Sequence, residues 1–142
     1  DAPAFNSFDQ TYHITMMVSI DPCNMENGCL EMVPGHHRQG ILPTAADATI
    51  DPDIAEALTW KLLPSEIGDI VFFDSYIPHR SGPNRSDQPR RALYVTYNRA
   101  SEGSYRENYY RCKRDIFPPD IERDPKKDYQ DSGVFNVGNP IK

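Results

Sequence analysis

Apolar residues in this chain fall in short runs divided by turn signals, and the runs predict strands. Residues 13–21 (HITMMVSID) hold five apolar side chains in nine, with β-branched content and polar flanks, and predict a strand buried on at least one face. Thr15, Met17 and Ser19 stand two apart on it, a face that either packs in the core or lines a pocket. Residues 29–33 (CLEMV) alternate apolar and polar and predict a second strand, entered through a tight turn at Asn27-Gly28 and ended by Pro34-Gly35. Residues 69–74 (DIVFFD), after Gly68, predict a third. Residues 92–98 (ALYVTYN) predict a fourth, with Leu93, Val95 and Tyr97 on one face and Tyr94, Thr96 and Asn98 on the other.

Two segments break from this pattern toward helix. Asp51 caps a short helix over 51–60, with Pro52 at its first position and acidic residues in the first turn. Ser104 and Glu107 form a capping box for a second helix to about Arg114, ended by Pro118-Pro119. The polar final residues predict an ordered surface tail. Four strands and many turns suit a mainly β fold, an antiparallel sandwich or jelly roll. Four strands make a thin sandwich, so either 1–8 and 40–44 are strands too or part of the sheet lies outside this chain. Residues 1–100 are expected to form the major part of the core, with 101–142 a helix and tail packed on the same domain.

Composition narrows the class. A length of 142 residues allows one domain. Thirteen prolines and eight glycines exclude a helix bundle. A formal charge of −6 argues against a nucleic-acid surface, which needs clustered Lys and Arg. No apolar run approaches a bilayer span, so no membrane contact is expected. Three cysteines, Cys23, Cys29 and Cys112, do not complete a disulfide framework and show no CxxC spacing, which points to a reducing setting, the cytoplasm.

Candidate chemistry concentrates between Gly68 and Asn98. The strand ending at Asp74 delivers His79, a turn-rich loop follows through Ser81, Gly82, Pro83 and Asn84, and Arg90 and Arg91 open the next strand. This order predicts an imidazole and a guanidinium on one sheet wall. Imidazole suits a metal, guanidinium suits a carboxylate held bidentately, and a 2-oxo diacid would bridge the two. Neighbouring strand residues face opposite sides, so only one of Arg90 and Arg91 enters the interior.

The spacing His79, Ser81, Asn84 and then Arg90, eleven residues after the His, resembles the second metal-ligand region of the phytanoyl-CoA dioxygenase family. Upstream, Asn27-Gly28-Cys29-Leu30 and Val33-Pro34-Gly35-His36-His37 resemble that family's "NGxL…VPGSH" segment, with His36 where the family usually has Ser or Thr. The resemblance covers most of residues 1–100. It implies a double-stranded β-helix (jelly roll, cupin-like), incomplete at its N-terminal side, with short covering helices. It also implies iron(II) and 2-oxoglutarate, and hydroxylation of a small-molecule or acyl substrate with release of succinate and CO2. On this resemblance His79 and Asp1 are metal ligands, Arg90 holds the distal carboxylate of 2-oxoglutarate, and Ser81 donates to the co-substrate.

Asp1 matches the carboxylate of the family's His-x-Asp motif, with 77 residues between it and His79. The motif's His would lie two positions before residue 1, and the chain holds no other His-x-Asp, so a chain cut inside the motif is expected. The segments KRDIFPPDIERDP and FNVGNPI faintly resemble bacterial members that hydroxylate small aminophosphonates. Other readings stay open. Ser81 equally suits a turn hydroxyl bonded to its own backbone. His13 reads as a strand-start residue. His36 and His37 diverge as sequence neighbours, with an edge-of-site role open to either. The basic face of the Tyr105–Tyr110 helix reads as solvated rather than phosphate-binding. At the level of function, the alternatives are a non-catalytic jelly-roll relative and a cupin-type metalloprotein of another reaction. The oligomeric state does not follow from the sequence.

Overall fold

The computed structural model describes residues 2–3 and 11–129. Within them are six strands: β1 (His13–Ser19), β2 (Leu30–Met32), β3 (Lys61–Leu63), β4 (Ile70–Asp74), β5 (His79–Ser81) and β6 (Ala92–Asn98). They form two antiparallel three-stranded sheets, ordered β4-β1-β6 and β3-β2-β5. The predicted strands over 13–21, 29–33, 69–74 and 92–98 all occur, trimmed by one or two residues at some ends. Strands β3 and β5 were not predicted. Residues 40–44 contribute only an isolated bridge, Thr44 to Ile50, and most of 1–8 lies outside the described residues.

The chain divides into two units, one of residues 12–40 and 57–99, the other of 1–11, 41–56 and 100–142. The first holds both sheets. They pack around Met17 of β1, Phe73 of β4, and Leu30 and Met32 of β2, all buried. The alternation of β1 is complete: His13, Thr15, Met17 and Ser19 are buried, and the residues between them are partly exposed. The opposite face of this sheet is apolar as well. Met16 and Val18 are flanked there by Ile70 and Phe72 of β4 and by Leu93 and Tyr97 of β6. These four flanking side chains are between 50% and 63% exposed.

The turn from Pro22 to Cys29 holds itself with amide side chains. Asn24 Oδ1 accepts from the N–H groups of Glu26 and Asn27. Asn27, buried, accepts from Asn24 N–H and donates to Pro22 O. Gly28 closes the turn at φ +77, and a Cβ there would lie 2.3 Å from Gly82 O and 3.1 Å from Pro83 O. Neither backbone atom can yield as a side chain would. Gly28→Ala is therefore expected to destabilise the protein by about 2–4 kcal/mol, from left-handed strain plus the overlap, read as a lower urea midpoint at unchanged slope. Full stability in the variant would contradict the close approach.

At the far end of β1, Arg91 binds the Asp21 carboxylate through Nε and Nη2, each at 2.8 Å, and the same carboxylate accepts Arg91 N–H at 2.7 Å. These bonds to Arg91 hold Asp21 down to a pKa of about 2, against 3.8 for an ordinary Asp. A depressed folded-state pKa means the pair stabilises above about 3.8 and loses that contribution as pH falls toward about 2. Asp21→Asn should flatten the acid limb of the stability curve in that window and leave its slope near neutrality alone, a small effect for an exposed pair.

In the second unit, Asp51 caps helix α1 (Pro52–Ala57) by accepting from Asp53 N–H at 2.9 Å. Helix α2 (Arg106–Ile116) starts at an N-cap of Tyr105, without a side-chain cap bond, so the predicted capping box at Ser104 does not form. Gly103 at φ +93 turns the chain just before, and the helix begins one residue late, leaving Glu107 to favour the dipole from its first turn. None of α2 is buried, in keeping with a solvated helix, and the predicted tail beyond residue 129 lies outside the described residues. Among the described residues no helix is long and apolar enough to cross a membrane.

Candidate functional site

His79 lies past the end of β4, as the sequence pattern suggested, but not on the wall of that sheet. The chain turns at Ser75–Pro78, where Ile77 N–H bonds to Asp74 O, and His79 opens β5 in the opposite sheet. In register His79 pairs with Met32 and Ser81 with Leu30, so both share the inward face of β2. Arg80 between them faces out, bonded to Glu31 at 2.9 Å and stacked 4.2 Å above the Trp60 ring. The His79 ring lies 5.2 Å from that of Phe73, across the two sheets.

This imidazole suits a metal. Its Nδ1 is 3.0 Å from Ile77 O, and a carbonyl only accepts, so Nδ1 carries the proton and Nε2 the lone pair. Burial among Phe73 and its neighbours pushes the His79 pKa below the usual value, which keeps the ring neutral. A neutral, oriented, half-buried imidazole has the chemistry that an iron(II) ligand needs. Among the described residues no group of three His, Cys, Asp or Glu gathers to hold a metal, and Asp1 lies outside them.

Arg90 stands two residues before Ala92, and Ala92 pairs with the inward Ser19. Arg90, Ala92, Tyr94 and Thr96 thus share one parity, and Arg91 takes the other, where Asp21 holds it. Arg90 acts electrostatically on two groups of this unit, the Cys29 thiol and the Tyr94 phenol. Burial raises the pKa of each, and the Arg90 cation opposes the rise. His79 therefore belongs to one sheet while Arg90 precedes a strand of the other, not one wall as the sequence order implied. The β5 strand, only three residues long, hid this crossing.

The loop between them is built by Asn84. Its Oδ1 accepts from Ser86 N–H and Oγ–H, and its Nδ2 donates to Gln88 O at 2.7 Å. Arg85 N–H bonds Glu26 O, tying this loop to the Asn24–Gly28 turn. Asn84 thus sets the path between His79 and Arg90. Ser81 is exposed on the inward parity, and Cys23 and Cys29 are free thiols, both buried. The inward face of β1 holds two hydrogen-bonded hydroxyl pairs that the sequence reading did not single out as pairs, Thr15 to Thr96 at 3.0 Å and Ser19 to Ser65 at 2.7 Å. The sequence reading set Tyr94 and Thr96 on one face of the strand, and extending that alternation back two more residues adds Arg90 to them.

The chain is 50% identical over 143 residues to a 2-aminoethylphosphonate dioxygenase of an uncultured bacterium, HF130_AEPn_1, covering 100% of this chain and 55% of that protein. It is 44% identical over 117 residues to a methylphosphonate hydroxylase of Gimesia maris, covering 82% of this chain and 44% of that protein. The chain spans about half the length of these curated relatives. Among solved structures, AviO1 of Streptomyces viridochromogenes Tue57 matches with a TM-score of 0.54 and 27% identity, over 67% of this chain and 40% of that one. EvdO2 of Micromonospora carbonacea var. aurantiaca, complexed with 2-oxoglutarate, matches with a TM-score of 0.51 and 32% identity, over 63% of this chain and 39% of that one. The family model described as phytanoyl-CoA dioxygenase matches residues 1–92, which take in β1 to β5, His79 and Arg90. On that match, over well more than half its length, the chain belongs to the phytanoyl-CoA dioxygenase family.

Proposed function

We propose that this chain carries the 2-oxoglutarate and iron(II) site of an oxygenase that hydroxylates a small organophosphonate. The observation that supports it most is His79, a half-buried imidazole on the inward face of β5 with a fixed tautomer; Arg90 adds to it by a parity opposite to that of Arg91, which Asp21 holds. When bound, iron(II) supplies the redox chemistry that couples decarboxylation of the co-substrate to C–H hydroxylation. The overall balance is substrate C–H, dioxygen and 2-oxoglutarate to alcohol, succinate and CO2.

The residues of this chain divide the remaining work. His79 offers Nε2 to the metal, and Asp1 offers the carboxylate of a His-x-Asp pair. Arg90 forms a two-point salt bridge with the distal carboxylate of 2-oxoglutarate, and the Ser81 hydroxyl donates to the same co-substrate. Met17, Phe73 and Met32 keep water from the reacting side. The organophosphonate substrate follows from the two relatives named above, both named for small phosphonates. An acyl substrate is the competing choice.

The test uses the protein at the length of its relatives, loaded with iron(II) and 2-oxoglutarate. Succinate is measured with 2-aminoethylphosphonate, methylphosphonate or an acyl-CoA as substrate. Phosphonate-dependent succinate with a hydroxylated phosphonate product is expected. A second reading, a non-catalytic relative, is favoured by the lack of a three-residue metal cluster among the described residues. No succinate with any substrate would select it.

A further inference from the structure

We propose that His36 reads the substrate, its Nδ1–H donating a hydrogen bond to an oxygen of the bound phosphonate. The inference rests on the phosphonate reading above. His36 is 9% exposed, and its Nδ1 has no hydrogen-bond partner among the described residues. A buried ring nitrogen left without a partner is costly, so a site that retains one has a use for it. The backbone carries this ring to the His79 end of the sheet. Met32 pairs with His79, Val33 N–H bonds Pro78 O at 3.1 Å, and His36 N–H turns back onto Val33 O at 3.3 Å. Gly35 at φ +83 makes that reversal. A loose surface imidazole would need none of this.

The chemistry fits an oxyanion. A neutral imidazole protonated on Nδ1 is a directional donor, and the oxygens of a phosphonate accept. His37, the next residue, is half-buried and stands away from this role, as adjacent side chains diverge.

The experiment measures 2-aminoethylphosphonate binding by calorimetry without oxygen, so that nothing turns over, in the iron- and 2-oxoglutarate-loaded enzyme. His36→Phe keeps the buried ring and removes the nitrogen. It is expected to weaken phosphonate binding about 10- to 100-fold, with 2-oxoglutarate affinity and thermal midpoint unchanged. His36→Asn returns an amide donor near the Nδ1 position and should recover much of the loss. His36→Gln, which sets the amide near Nε2, should not. Unchanged phosphonate binding in His36→Phe overturns the proposal, as does parallel loss of 2-oxoglutarate binding, which marks a packing role. If His36→Phe does not fold, equal binding by the Asn and Gln variants overturns it. Failure of the unaltered enzyme to bind any phosphonate while it consumes 2-oxoglutarate with another substrate overturns the substrate reading itself.

Discussion

His79→Ala should cost the protein its iron, with affinity reduced by more than about 100-fold and succinate formation at background. Loss of a mere supporting partner of a metal ligand costs about 10- to 100-fold, and here the ligand itself goes. The argument is geometric before it is chemical. The short turn after β4 swings His79 into the opposite sheet, the Ile77 carbonyl fixes its proton on Nδ1, and burial keeps the ring neutral. Alanine removes the donor and also uncovers the Phe73 ring, so a modest fall in stability accompanies the loss of metal. Metal content after gel filtration checks the first effect, and chemical denaturation the second. A variant that kept one iron per chain would end the assignment of His79.

Arg90→Ala should raise the apparent constant for 2-oxoglutarate at least about 30-fold, while Arg91→Ala changes it little. Leaving a buried carboxylate without its cation costs about 2–5 kcal/mol, and each 1.4 kcal/mol is tenfold. Two adjacent arginines make the comparison internal. Arg91 is committed to Asp21 on the other side of the strand, and Arg90 carries the parity of Ala92 and Thr96. The variants separate this parity argument from any general effect of removing positive charge. Equal sensitivity of the two would show that charge alone matters, and indifference to Arg90→Ala would show that the carboxylate is held elsewhere.

The long strands were legible because burial writes a period of two into them. His13–Ser19 and Ala92–Asn98 carry that period over seven residues each, and Ile70–Asp74 is marked by its apolar content and Gly68. Strands β3 and β5 have three residues apiece, too few for any period to emerge, and the predicted helix over 51–60 ran as far as Trp60, the residue before β3. Missing β5 had the larger consequence. Without it His79 seemed to share a wall with Arg90, and the true arrangement across two sheets follows from pairing alone. The residue types of the site were visible in sequence, whereas Asn84 was visible only as part of a pattern. Its task, closing the 84–88 turn, is a matter of three hydrogen bonds that no spacing rule announces.

The outer face of the β4-β1-β6 sheet has a practical consequence. Phe72, Ile70, Leu93 and Tyr97 each leave half or more of their surface to water on the same side of this sheet, and grouped apolar exposure of that kind invites association. A polypeptide of these 142 residues, produced by itself, is expected to clump through that side, and handling from expression to storage has to contend with it.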